Sequence, residues 1–208
     1  MSSATHELPL GRLEALSDGV FAIAITLLVL ELGVSANAGE HLLTSILHQW
    51  PSYLAYVTSF LTIGVVWLGH SAFTSALRAA DATLYRLNLL VLLLASFLPF
   101  PTKLVAEFIG EDSPERTAVV FYGLVLLALD LSLTVLVRYA SEQRRLVKEE
   151  MDDVVAEEAS QRRPSYAFYA LAIGVGFLLP TLGVALYLAI ALYLAVPART
   201  VHRLLRRR

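Results

Sequence analysis

Long apolar runs dominate this chain, and short segments that carry most of the charges separate them. Four runs reach the ~20 mostly apolar residues that a helix needs to cross about 30 Å of hydrocarbon. They cover residues 13–33, 51–70, 86–104 and 117–140. A further run over residues 165–196 is long for one crossing and short for two, with Pro180 and Gly183 near its middle. The pattern predicts an all-α, polytopic membrane protein.

The distribution of Lys and Arg resolves the ambiguous run, because cytoplasmic loops of membrane proteins collect basic residues. Basic residues flank the run on both sides: Arg144, Arg145, Lys148, Arg162 and Arg163 before it, and Arg199, Arg203, Arg206, Arg207 and Arg208 after it. Both flanking segments are therefore expected in the cytoplasm, and the chain must cross the membrane twice between them. The two crossings would cover residues 165–179 and 181–197. We therefore expect one domain, residues 1–208, with six membrane-spanning helices and both termini in the cytoplasm.

Composition narrows the class of protein further. Hydrophobic residues make up 57% of the chain and charged residues 16%, and the mean hydropathy is +0.65, which is typical of a membrane protein. The chain has no cysteine, so disulfides and thiolate chemistry are excluded. Four of its histidines lie in loops or tails without ligand spacing: His6, His41, His48 and His202. We expect no metal site, no cofactor and no nucleic-acid partner.

The first run resembles a secretory signal peptide, but Asp18 and Glu31 bracket it, so we do not expect cleavage.

Polar side chains cluster at one depth near the cytoplasmic ends of the first three runs, where ionisable groups each cost about 2.5–3.5 kcal/mol to insert. The members are Arg12, Ser17, Asp18, Trp67, His70 and Asn88. Because unpaired polar groups are costly in lipid, we expect Asp18, His70 and Asn88 to bond to one another across three helices. The Trp67 N–H would join them, and Arg12 would cap the cluster. Two interpretations remain open: a structural clamp, or a proton or ion site that uses Asp18 and His70.

Three other polar features carry alternatives. Asp130, with Ser132 nearby, interrupts the fourth run and is either a buried contact or a transport site. Glu31 ends the first run on the outer side and either attracts cations to a pore mouth or is a solvated carboxylate. Residues 141–163 carry an apolar stripe at helical spacing among many charges. That segment is either a solvated extension of the fourth helix or a regulatory, partner-binding helix.

The segment that begins at Arg12 reads R-L-E-A-L-S-D-G. It closely resembles the first-helix signature R-x-x-x-F-S-D-G of the transmembrane protein 175 potassium channel family, with Leu16 in place of Phe. The W-L-G-H sequence that ends at His70 and the R-L-N-L sequence around Asn88 resemble that family's partner residues. The resemblance implies a homotetramer, a pore lined by the first helix and no T-V-G-Y-G filter. A single copy of the signature is typical of bacterial members, so we expect the bacterial plasma membrane.

Ile23, Leu27 and Leu30 lie at i, i+4 and i+7, on one face of the first helix. Spacing alone favours contact with lipid or with another helix. The resemblance instead implies stacked aliphatic rings that close a pore by dewetting and select weakly for potassium. Thr26 and Glu31 are expected near the path.

The sequence therefore predicts a potassium-permeable channel for monovalent cations in the lipid bilayer. The alternative is a proton- or cation-coupled secondary transporter that uses Asp18, His70 and Asp130. An enzyme is not expected, because no nucleophile–base pair shares one depth.

Overall fold

The computed structural model describes residues 9–33, 42–110, 112–151 and 165–195. Its helices are α1 (Leu10–Leu27), α2 (Leu42–His48), α3 (Trp50–Ala76), α4 (Ala82–Phe97), α5 (Pro99–Phe108), α6 (Asp112–Glu142), α7 (Ser165–Leu178) and α8 (Pro180–Ala195). A 3₁₀ turn, Leu28–Glu31, continues α1, and two more, Arg144–Leu146 and Glu149–Met151, follow α6. The predicted all-α class is confirmed for the described residues.

Helix α1 buries one face and leaves the other uncovered. Residues 13, 17, 21 and 24 are buried, and the series continues with Leu28 in the 3₁₀ turn. This spacing of three or four residues places them on one face of a helix. The face packs against α3 and α4, so α1 is held on one side only.

Four helical segments are long and apolar enough to cross a membrane: Leu10–Glu31, Trp50–Ala76, Ala82–Phe108 and Pro114–Glu142. Helix α3 continues beyond His70, where the apolar run ends, to Ala76. Helices α7 and α8 have 14 and 16 described residues, which corresponds to about 21 and 24 Å of helix. Six spans therefore remain a prediction.

Pro99 and Pro101 lie inside the third apolar run, and they begin a separate helix there. Helix α4 stops at Phe97, Leu98 forms a turn, and α5 continues to Phe108. Proline is tolerated in the first turn of a helix because its missing N–H would have had no partner there. Buried hydroxyls anchor α5, since the Ser59 Oγ lies 2.7 Å from the Thr102 Oγ1 and 2.8 Å from the Tyr122 hydroxyl.

Helices α7 and α8 form an antiparallel hairpin that turns at Leu179. The rings of Phe168 and Tyr193, near the open ends of the hairpin, have centroids 6.0 Å apart. Near the turn, a Cβ on Gly183 would lie 2.5 Å from the Cα of Gly176. The two backbones thus approach so closely that Gly183 accommodates no side chain.

The segment after α6 does not continue that helix, which was one of the two interpretations of residues 141–163. Helix α6 ends at Glu142, and residues 144–148, called the strap below, fold back over the loop between α3 and α4. The N–H of Arg78 donates to the Leu146 carbonyl at 2.8 Å, and the N–H of Lys148 donates to the Ala76 carbonyl at 3.0 Å. Leu146 and Val147 are buried there. Their burial against the loop replaces the helix; residues 152–163 lie outside the described part.

We predict that Gly183→Ala destabilises the protein by about 1–3 kcal/mol, because the added methyl group overpacks against the backbone of Gly176. The matched control is Gly174→Ala in the same hairpin, where a Cβ meets nothing within 4 Å. That change is expected to be neutral or stabilising by up to about 1 kcal/mol. Thermal unfolding in detergent, followed by tryptophan fluorescence, measures both. Equal melting temperatures for the two variants would contradict the close packing.

Candidate functional site

A chain of buried side chains links α1, α3 and α4. The His70 Nε2 lies 2.6 Å from the Asn88 Oδ1, and the Asn88 Nδ2 donates to the Ser17 Oγ at 3.1 Å. The Ser17 hydroxyl donates onward to the Leu13 carbonyl at 2.8 Å. Ser17, His70 and Asn88 are all at most 2% exposed. Each helix therefore contributes one polar side chain to a shared interior contact.

The direction of donation along this chain fixes the histidine tautomer. Ser17 uses its hydrogen on Leu13, so its oxygen accepts from the amide nitrogen of Asn88. The amide oxygen of Asn88 then faces His70 and requires a donor. A neutral imidazole offers one N–H, so the hydrogen lies on Nε2. The Phe21 ring closes the site over His70, with ring centroids 5.4 Å apart in an edge arrangement.

Asp18 belongs to a separate pair and not to the buried chain. The Trp67 Nε1 donates to the Asp18 Oδ1 at 2.8 Å, and both residues are exposed. Consecutive residues are about 100° apart around a helix. Ser17 therefore points into the bundle, whereas Asp18 points towards the exposed side of the contact between α1 and α3. The expected bond between Asp18 and His70 is absent from the described contacts. The predicted single cluster is thus two contacts that both tie α1 to α3.

Arg12 does not cap the cluster as expected. Its side chain is exposed and makes none of the hydrogen bonds or ion pairs found among the described residues. It lies in the first turn of α1, where its backbone N–H donates to the Pro9 carbonyl at 3.2 Å.

The predicted aliphatic face of α1 is uncovered within one chain. Ile23 is 60% exposed, Leu27 is 41% exposed and Leu30 is 72% exposed. At about 100° per residue, this face is centred roughly 120° around the helix from the face that carries Ser17 and Phe21. The buried contact and the uncovered stripe are therefore two sides of one helix.

Thr26 and Glu31 each have a partner. The Thr26 hydroxyl donates to the Ile23 carbonyl at 2.9 Å. Glu31 lies 3.9 Å from the Nζ of Lys103, which is also 3.8 Å from Glu107. Sequence reasoning missed Lys103, although a cation just inside the C-terminal end of the third apolar run is itself a signal.

Asp130 lies in another part of the bundle, beside a small cavity between α3, α6 and the hairpin. The Ser165 hydroxyl donates to its Oδ2 at 2.6 Å. Ser132 instead bonds to the Leu129 carbonyl. Ser165 was not singled out from the sequence, because it follows Asp130 by more than thirty positions and no local pattern relates the two residues. In the described residues, no group of three His, Asp or Glu side chains is arranged to hold a metal ion.

We predict that His70→Ala and Asn88→Ala are strongly non-additive, because both remove the same buried contact. Their coupling energy should be about 0.5–3 kcal/mol. Trp67→Phe, which removes only the bond to Asp18, should instead add to Asn88→Ala. Denaturant unfolding of the single and double variants in detergent measures both cycles. Additive losses for His70 and Asn88 would mean that the two side chains stabilise the fold separately.

A family model described as endosomal/lysosomal potassium channel TMEM175 matches residues 12–99, which include the three helices joined by the buried chain. A potassium channel of Streptomyces collinus is 39% identical over 188 residues, covering 88% of this chain and 90% of the relative. A potassium channel of Chamaesiphon minutus is 36% identical over 200 residues, covering 94% of this chain and 98% of the relative.

The fold gives the same result. The crystal structure of a lysosomal potassium-selective channel TMEM175 homolog from Chamaesiphon minutus matches with a TM-score of 0.81 at 36% identity, covering 89% of this chain and 96% of that chain. High identity over nearly full length, with the same fold, leaves one conclusion: the chain belongs to the TMEM175 family of ion channels.

Proposed function

We propose that this protein is a potassium-permeable cation channel that conducts passively through a central pore lined by α1. The observation that carries the proposal is the uncovered aliphatic stripe of Ile23, Leu27 and Leu30, on a helix whose buried face is fixed by contacts with α3 and α4. The names of the relatives as potassium channels support the same function. The membrane is proposed to be the bacterial plasma membrane, with six spans and both termini in the cytoplasm.

In a homotetramer, four copies of α1 would enclose the pore. One chain offers one such helix, and a single helix encloses no path. Cyclic symmetry around an axis beside α1 would place four copies of the stripe opposite one another. The uncovered part of α1 is wider than the stripe, since Val29, on a different side, is also 50% exposed. The remainder is available for contact with a neighbouring subunit or with lipid.

The constriction in this arrangement is a ring of Ile23 side chains. Ile23 lies two positions after Phe21 and directly before Ala24, and both of these residues are buried. The packing of α1 therefore sets the direction in which the Ile23 side chain points. An aliphatic ring offers no polar atom to replace the hydration shell of an ion, and it closes by dewetting. Selectivity between potassium and sodium is therefore modest.

Charge at the Glu31 end of α1 favours cations. Glu31 and Glu107 contribute two carboxylates around the single ammonium of Lys103, which leaves a negative balance among these three side chains. Cations would be attracted to this end, and the attraction would weaken as salt screens it.

The tetramer leads to a direct prediction. Native mass measurement in a mild detergent should give four copies of the 22.8 kDa chain, and flux should be lost when the protein is diluted to monomers. A stable monomer that retains full flux in liposomes would contradict the proposal, because it would have no enclosed pore.

The pore face is tested by Ile23→Asn beside Val29→Asn, at matched amounts of protein in liposomes. Asn at position 23 wets the constriction, so potassium flux should rise by about tenfold, which corresponds to a barrier lower by about 1.4 kcal/mol. Asn at position 29 should leave flux unchanged. Equal effects, or none for Ile23→Asn, would mean that this face does not line the path. Electroneutral exchange coupled to protons in the wild-type protein would instead identify a secondary transporter.

A further inference from the structure

One face of α4 contacts three separate parts of the chain. Asp81, Tyr85 and Asn88 lie at i, i+4 and i+7, where residues of a helix share a face. Asp81 binds the strap, Tyr85 binds the start of α1, and Asn88 binds Ser17 in the middle of α1. Helix α4 therefore lies between the strap and the helix to which we assign the pore.

Asp81 connects the strap to the first turn of α4. The Arg145 guanidinium donates to its Oδ2 at 2.7 Å, and so does the Tyr139 hydroxyl at 2.9 Å. The other carboxylate oxygen accepts the N–H groups of Thr83 and Leu84, at 3.1 and 2.9 Å. One carboxylate thus caps the helix with one oxygen and holds the strap with the other.

The charge of Asp81 at neutral pH follows from these donors. Burial alone would raise the pKa of its carboxyl group. The Leu84 N–H, the Tyr139 hydroxyl and the Arg145 guanidinium outweigh burial and hold that pKa below its ordinary value. The ion pair with Arg145 is therefore present under ordinary conditions.

Tyr85 connects α4 to the start of α1. Its backbone N–H donates to the Asp81 carbonyl at 3.1 Å, and its hydroxyl donates to the Pro9 carbonyl at 2.6 Å. Pro9 is the N-cap residue of α1 and offers no side-chain cap. The same carbonyl accepts the N–H of Arg12. Tyr85 therefore binds the Pro9 carbonyl group that also accepts a backbone hydrogen bond from the first turn of α1.

The strap is attached firmly enough to act on Asp81. Leu146 and Val147 are each 1% exposed, and the Lys148 Nζ donates to the Ser75 carbonyl near the end of α3 at 2.7 Å. Arg145 precedes these anchors by one to three positions, so its guanidinium is held next to Asp81.

We propose that Asp81 and Tyr85 are positioning residues of the channel, through which the strap sets the position of the start of α1. Release of Arg145 leaves the Oδ2 of Asp81 with only the Tyr139 hydroxyl, loosens the first turn of α4 and withdraws the Tyr85 hydroxyl from Pro9. Helix α1 then gains freedom at its start, the movement is transmitted along the helix to Ile23, and the constriction leaks. The proposal rests on the proposed function, because it requires α1 to line the pore.

The experiment compares Arg145→Gln and Tyr85→Phe with two matched controls in the full-length protein. Arg138→Gln removes an arginine whose guanidinium pairs with Glu142 on the same helix. Tyr193→Phe removes a hydroxyl from the hairpin. Arg145→Lys retains the charge and serves as the rescue variant. Two readouts are taken from the same liposomes: hydrogen exchange at the Arg12 amide, which reports directly on the Pro9 carbonyl, and potassium flux.

Both test variants should speed exchange at Arg12 by about fivefold, the change expected from losing about one hydrogen bond, and should raise flux. The controls and Arg145→Lys should change neither. Unchanged exchange at Arg12 in the test variants would overturn the proposal, as would faster exchange with unaltered flux in a conducting protein. If the wild-type protein passed no potassium, the proposed function would fail. Exchange would still decide separately whether the strap acts on α1.

Discussion

A polar group buried in a bilayer needs a partner from its own protein, since the hydrocarbon offers none. Ser17, Asn88 and His70 meet this requirement with one side chain from each of three helices. A rotation of α1 that carried Ser17 towards lipid would leave the Asn88 amide without its acceptor. The contact therefore fixes the rotation of α1 about its own axis, and with it the direction in which the aliphatic stripe on the other side points.

The sequence predicted the members of this contact better than their pairing. Depth along a helix can be counted from the ends of the apolar runs, so Ser17, Asp18, His70 and Asn88 were correctly expected near one level. Position around the helix cannot be counted in the same way when neighbouring helices are unknown. Asp18 was assigned to His70 on depth alone, whereas its orientation, about 100° from Ser17, brings it to Trp67.

Long-range contacts explain the other differences between expectation and structure. The apolar residues after α6 have helical spacing, yet Leu146 and Val147 bury themselves against a loop far away in sequence. Periodicity reports only on neighbours within a few turns, so it favoured a continued helix. The run over residues 86–104 was likewise predicted as one span, yet a new helix begins within it at Pro99. The Ser59 hydroxyl, which is itself bonded to the Tyr122 hydroxyl, holds Thr102 of that helix in place, which no local pattern reveals.

The turn at Leu98 has a mechanical consequence for α1. Helix α4 carries the contacts to Pro9 and Ser17, whereas α5 carries Lys103, the partner of Glu31. The start of α1 and the end of its 3₁₀ turn are thus held by two different helices. These helices meet at Pro99, where the backbone hydrogen bonding is interrupted and a helix bends most easily. A small change of angle at that joint would tilt one end of α1 relative to the other while every anchoring contact stays intact.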